Sequence, residues 1–173
     1  MRANLLGTLA VLLVLLVMVV GLPVLNQAIP AERPVAVGAA IDIGHGVRLV
    51  PPPGAAMDTT RTLPKQGVLF LVLHGLDFRA EVKATSQSLE DSARRLRGRI
   101  QGQRGVQLAG DPREVVTASG VPGLRGAFSA TGGDGLYAVY QRDNLAVQIT
   151  VSGASLPDQV TAVETSMAGM VFP

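Results

Sequence analysis

The stretch Asn144-Leu145-Ala146-Val147-Gln148-Ile149-Thr150-Val151-Ser152 alternates without a break, with Leu145, Val147, Ile149 and Val151 on one side and Ala146, Gln148 and Thr150 on the other. A period of two belongs to a strand with one face in a core. Asp143-Asn144 supplies a turn before it, and Gly132-Gly133-Asp134-Gly135 supplies another upstream. Leu124–Thr131, Gly135–Gln141 and Asn144–Ser152 are therefore expected to form a meander, preceded by a short strand over Glu114–Ala118.

Outward from this meander the period changes. Leu89, Ala93, Leu96 and Ile100 recur at helical spacing, with Ser86 or Ser88 available as a cap and Asp91 three residues after Ser88. Glu90 and Asp91 open this helix, and Arg94, Arg95, Arg97 and Arg99 close it, as the helix dipole favours; Glu90/Arg94 and Asp91/Arg95 are expected i,i+4 pairs. A second helix is expected from Ser155, with Pro157 in its first turn, Asp158 at the capping-box position, and a stripe of Val160, Val163, Met167 and Met170 or Val171. Toward the N-terminus, Ile41–Val50 reads as one strand, stopped by Pro51-Pro52-Pro53-Gly54, whose prolines favour extended geometry. A long polar loop reaches about Gln66. Gly67–Leu73 then reads as a buried strand, joined by His74-Gly75 to a half-buried one over Asp77–Ala84. The resulting order, β-β-β-α-β-β-β-β-α, predicts an α+β domain in which two helices pack on an antiparallel sheet.

The N-terminus is of another kind. Leu5 to Leu25 carries no charge, and a bilayer core of about 30 Å needs roughly 20 apolar residues in a helix. A cleaved signal peptide is the competing reading, but the run is long and Asn26 follows it where a small residue is wanted. The expected organisation is an N-terminal transmembrane signal-anchor over residues 1–26, a proline-bearing linker over 27–39, and a domain over 40–173. Arg2 before the run places the N-terminus in the cytoplasm and the domain outside the cell membrane by the positive-inside rule. With no cysteine, neither lipid attachment at a cysteine nor disulfides enter. Thirteen arginines against 2 lysines, with abundant Ala, Gly and Val, point to a GC-rich genome.

The element order, the apolar segment and the phrase Gly46-Val47-Arg48-Leu49-Val50-Pro51-Pro52-Pro53-Gly54 resemble the PsbP-like domains of actinobacterial envelope proteins, which share a fold with an extrinsic subunit of photosystem II. Related sequences place a tryptophan just after the Pro-Gly, where this chain has Ala55. The resemblance implies a non-catalytic accessory module serving a larger membrane assembly.

No catalytic constellation stands out. G-x-S-x-G does not occur, and Ser119-Gly120 and Ser152-Gly153 read as loop residues. His45 and His74 are the only imidazoles and read as turn residues, so no metal, haem or other cofactor is expected. Gly120, Gly123 and Gly126 precede a strand rather than a helix and lack the partners of a phosphate loop. Nucleic acid is not expected, because all 13 acidic residues and every basic residue but Arg2 lie after residue 30, in near balance. Two surfaces remain as candidate interaction sites. Arg94, Arg95, Arg97 and Arg99 could meet an acidic partner or anionic lipid, although a solvated helix face is the plainer reading. Pro51, Pro52, Pro53 and Gly54 could present a preformed extended loop. The chain is thus expected to be no enzyme but an interaction module for another envelope or membrane protein, with a lipid or small-ligand carrier as the alternative.

Overall fold

Hairpin turns organise the chain, and two of them use histidine. His45-Gly46 and His74-Gly75 have φ of 54° and 79°, and of 47° and 81°, the paired positive values of two-residue I′ turns. The computed structural model describes residues 31–173 together with residues 15, 16, 18 and 19. The expected membrane helix lies almost wholly outside the described residues; among them, no helix is long and apolar enough to cross a membrane.

Among the described residues from 31 on, ten strands and two α-helices follow in the order β1 (Glu32–Pro34), β2 (Ile41–Gly44), β3 (Val47–Leu49), β4 (Ala56–Asp58), β5 (Val68–Leu73), β6 (Leu76–Ala84), α1 (Leu89–Gln101), β7 (Gln107–Val116), β8 (Pro122–Ala130), β9 (Gly133–Arg142), β10 (Leu145–Ser152) and α2 (Leu156–Ala168). A short 3-10 turn over Pro64–Gln66 precedes β5. Eight strands form one antiparallel sheet in the order β1-β4-β5-β6-β10-β9-β8-β7, and β2 with β3 forms a separate hairpin. The α+β architecture, an antiparallel sheet with two packed helices, is the expected one. The meander β7–β10 runs back from the edge until β10 pairs with β6, Val147 opposite Val82 and Ile149 opposite Ala80.

The sheet has two unlike faces. On one, Phe78, Ala80, Val82, Ala138, Tyr140, Val147, Ile149 and Val151 meet Val163 and Met167 of α2 and Ile43, Val47 and Leu49 of the β2–β3 hairpin. The tail closes this layer, since Arg48 and Val171 exchange backbone hydrogen bonds of 2.9 and 3.0 Å. On the other face, Ala93, Leu96 and Ile100 of α1 cover Phe128, Tyr137 and Val139.

The structure departs from several expectations. Glu32–Pro34, placed in the linker, pairs with Asp58–Ala56 as a short edge strand, a position where proline is tolerated. Ile41–Val50 is a hairpin rather than one strand, because His45-Gly46 turns the chain. β7 starts at Gln107, well before Glu114; its register slips between Ala109 and Arg113, so Gly110-Asp111-Pro112 is a bulge within the strand. The run Val68–Leu73 is not buried on both faces: Leu69, Leu71 and Leu73 enter the core, while Val68, Phe70 and Val72 are only half-buried. The glycines of β8 and β9 seat aromatic rings. A Cβ at Gly126 would overlap the Tyr137 ring, one at Gly123 the Tyr140 ring, and one at Gly135 the Phe128 ring. Each ring belongs to the residue directly opposite in register.

Candidate interaction face

Ser88 caps α1 through its Oγ, which accepts from the Asp91 N–H at 3.1 Å, and the helix then aims its four arginines in different directions. Arg94 lies in solvent and pairs with Asp91 at 2.9 Å, an i,i+3 contact in place of the two expected i,i+4 pairs. Arg97 reaches the bulge of β7, donating to the Gly110 carbonyl at 3.3 Å beside Asp111. Arg99 turns to the sheet, donating to Gln148 and lying 3.8 Å from Glu81. Arg95 lines a cavity of about 420 Å³ between α1 and strands β6 and β10, with Arg99 and Lys83 around the same space. The expected cluster is therefore split, and only Arg95 and Arg99 line the same space beside β6 and β10.

What they face was hidden in β6. Its alternation puts Asp77, Arg79, Glu81 and Lys83 on the side away from the α2 core. Of its two acids, Asp77 pairs with Arg61 and Glu81 gathers the other cations: Lys83 approaches it at 2.8 Å, Arg79 at 3.3 Å and Arg99 at 3.8 Å. One carboxylate thus serves three cations, and Arg95 adds a fourth. Beyond the reach of α1, the half-buried Phe70 ring lies beneath two guanidiniums, Arg61 at 4.8 Å and Arg79 at 5.4 Å from its centroid.

Arg61 also ties this flank to β4. Its Nε donates to Asp58 at 2.5 Å and its Nη2 to Asp77 at 2.9 Å. Asp58 is buried and accepts further from the Thr60 hydroxyl at 2.6 Å and from the Thr60 and Arg61 N–H groups. The Thr60 hydroxyl, then Arg61, holds the Asp58 carboxyl well below the usual carboxylate range against the opposing effect of burial. Asp58 in turn raises the Arg61 guanidinium.

The proline phrase is not an open extended loop. Pro51 and Pro52 are buried; Pro53 and Gly54 form the corner of a type II turn, with Gly54 at φ 83° and the Ala55 N–H donating to the Pro52 carbonyl at 3.1 Å. The Ser166 hydroxyl of α2 donates to the Val50 carbonyl just before it, at 2.5 Å. Only Pro53 and Gly54 remain at the surface.

On the opposite face, α2 leaves an apolar groove of about 530 Å³ lined by Ala109, Ala127, Leu136, Leu156, Pro157 and Val160. Among the described residues, no three His, Asp or Glu side chains converge as metal ligands would. The sequence signal for Arg79, Glu81 and Lys83 was the alternation of β6 itself. It gave no sign that α1 would lie over β9 and β10 and so bring Arg95 and Arg99 beside them.

No protein-family model matches the chain, and no curated protein does. Among solved structures, the chain is similar to the solution structure of cyanobacterial PsbP (CyanoP) from Synechocystis sp. PCC 6803, with a TM-score of 0.55 and 11% identity over 84% of this chain and 94% of that chain. The fold is PsbP-like.

Proposed function

We propose that this chain is a non-enzymatic interaction module that docks on a protein with an acidic surface, through the flank of the sheet bounded by α1 and β6. The observation that carries the reading is the charge imbalance there: Arg79, Lys83 and Arg99 share the single carboxylate of Glu81, and Arg95 lines the same flank. These cations stand on a strand and a helix, so their arrangement is fixed before a partner arrives, and complementary charge then sets both rate and register of docking. The uncharged run over residues 5–25 would hold the module to a cell membrane as a single-pass anchor, with the domain outside the cytoplasm, where it would serve an envelope assembly such as those of actinobacteria.

Reversing Arg95 and Arg99 to Glu together should reduce co-purification of membrane partners several-fold at low salt and leave the melting temperature nearly unchanged. The parent should lose the same partners as salt rises, because exposed charges are screened over about 8–10 Å near physiological ionic strength. Equal recovery from parent and doubly reversed protein at low and high salt would reject the face. A small-ligand carrier is the second reading, favoured by the apolar groove beside α2, whose volume falls in the range of small-molecule sites.

A further inference from the structure

Cations dominate the wall of the cavity between α1 and strands β6 and β10. Lys83, Arg95 and Arg99 supply three positive charges to its wall, of which the Glu81 carboxylate, 2.8 Å from Lys83 and 3.8 Å from Arg99, offsets one. Two of the neutral groups there have an oxygen occupied, while the Ser92 hydroxyl donates away from the space to Gln141 at 3.4 Å. Gln148 Oε1 accepts from Arg99, which leaves the amide NH2 of Gln148 to donate. Thr85 Oγ1 accepts from the Gln87 N–H at 3.1 Å, which leaves its own proton free. A space walled by cations and free donors selects an anion with several acceptor oxygens, and guanidinium pairs match phosphate geometry closely. A carboxylate presents only two oxygens and one charge, too few for this set. At about 420 Å³ the cavity also exceeds a bare phosphate, leaving room for the body of a small molecule.

We propose that this cavity binds a phosphate monoester, its phosphate held by Lys83, Arg95 and Arg99 with Thr85 and Gln148 as neutral donors. This goes beyond docking and is measured on the chain alone, so either reading can fail without the other.

The test is a titration of the full chain, held in phosphatidylcholine nanodiscs and followed by amide NMR, with inorganic phosphate at constant ionic strength set by sodium chloride. The amides of Thr85, Gln87, Ser92 and Gln148 should shift together and saturate. Arg95→Gln and Lys83→Gln should each weaken binding about tenfold, the expected scale for losing a charged hydrogen bond, whereas Arg113→Gln on β7 should not. Phosphate should also raise the melting temperature of the parent more than that of Arg95→Gln, since a ligand of the folded state stabilises it by mass action. Adding phosphatidic acid to the discs separates the two sources of the ester: competition with free phosphate assigns the site to a lipid headgroup, and its absence assigns a soluble ligand. Shifts that never saturate, equal shifts with acetate, or equal weakening by Arg113→Gln would overturn the proposal.

Discussion

Phe70 and Tyr137 stand on one row of the sheet, separated only by Arg79 and Thr150, and are finished in opposite ways. Tyr137 is fully buried, its ring laid over Gly126 on the next strand and roofed by α1. Phe70 has no helix above it and is covered by Arg61 and Arg79. A helix roof shuts water out; a roof of guanidiniums covers the ring while keeping its charges at the surface. The same face of one sheet therefore has a closed half that fixes the fold and an open half that presents charge.

The largest effect should come from the core that both halves share. Ile149 is fully buried at the centre of the sheet, on the α2 face, opposite Ala80 and Ala138. Ile149→Asp would place an unpaired carboxylate there, costing several kcal/mol, comparable with the ~5–15 kcal/mol that holds a domain together. Loss of the cooperative thermal transition is expected. A variant that melts like the parent would show that the two faces of β10 have been exchanged.

The next effect belongs to the closed half alone. Gly126→Ala would drive a methyl into the Tyr137 ring, and overpacking of this kind costs about 1–3 kcal/mol. Tyr137→Phe should recover part of the loss, because the phenol oxygen is among the atoms the new methyl meets. By itself Tyr137→Phe should be neutral or slightly stabilising, since the buried hydroxyl has no hydrogen-bond partner among the described residues. Denaturant melts of the two single variants and the double variant check this; strictly additive effects would mean that the ring does not depend on the glycine.

Much of the fold was legible because its decisive segments are locally unambiguous. Residues 144–152 alternate over a whole strand, the Leu89–Ile100 stripe has one helical solution, and His74-Gly75 joins two strand-length runs. The same dipeptide at His45-Gly46 is hidden inside Ile41–Val50, which reads as one strand. What could not be read depends on distant pairing. Glu32–Pro34 is a strand only because β4 offers an edge, and Gly110-Asp111-Pro112 stays in β7 only because β8 tolerates a bulge. The triple proline reads as extended until Gly54 turns it. The arginine cluster could be recognised but not resolved: four charges along thirteen helical residues share a sequence neighbourhood, yet Arg94, Arg97 and Arg99 meet three different partners.

The smallest effect lies at the margin of the open half. Asp58 is buried on β4, beside the edge strand β1, where the Thr60 hydroxyl and Arg61 keep its folded-state carboxyl below the ordinary value. An unfolded aspartate titrates near 3.9, so between the two values the unfolded chain binds the extra proton. Stability from this carboxylate is thus fully present above about pH 5 and is lost as pH falls through the unfolded value toward the folded one. Asp58→Asn keeps the shape and removes the charge, at a cost near neutral pH of about 1–3 kcal/mol, typical of charged hydrogen bonds. The gap between parent and variant should narrow as pH falls from 5 to 2, by urea denaturation at each pH. A constant gap across that range would mean that Asp58 contributes shape alone, and that Arg61 is held over Phe70 by Asp77 and the ring rather than by the buried carboxylate.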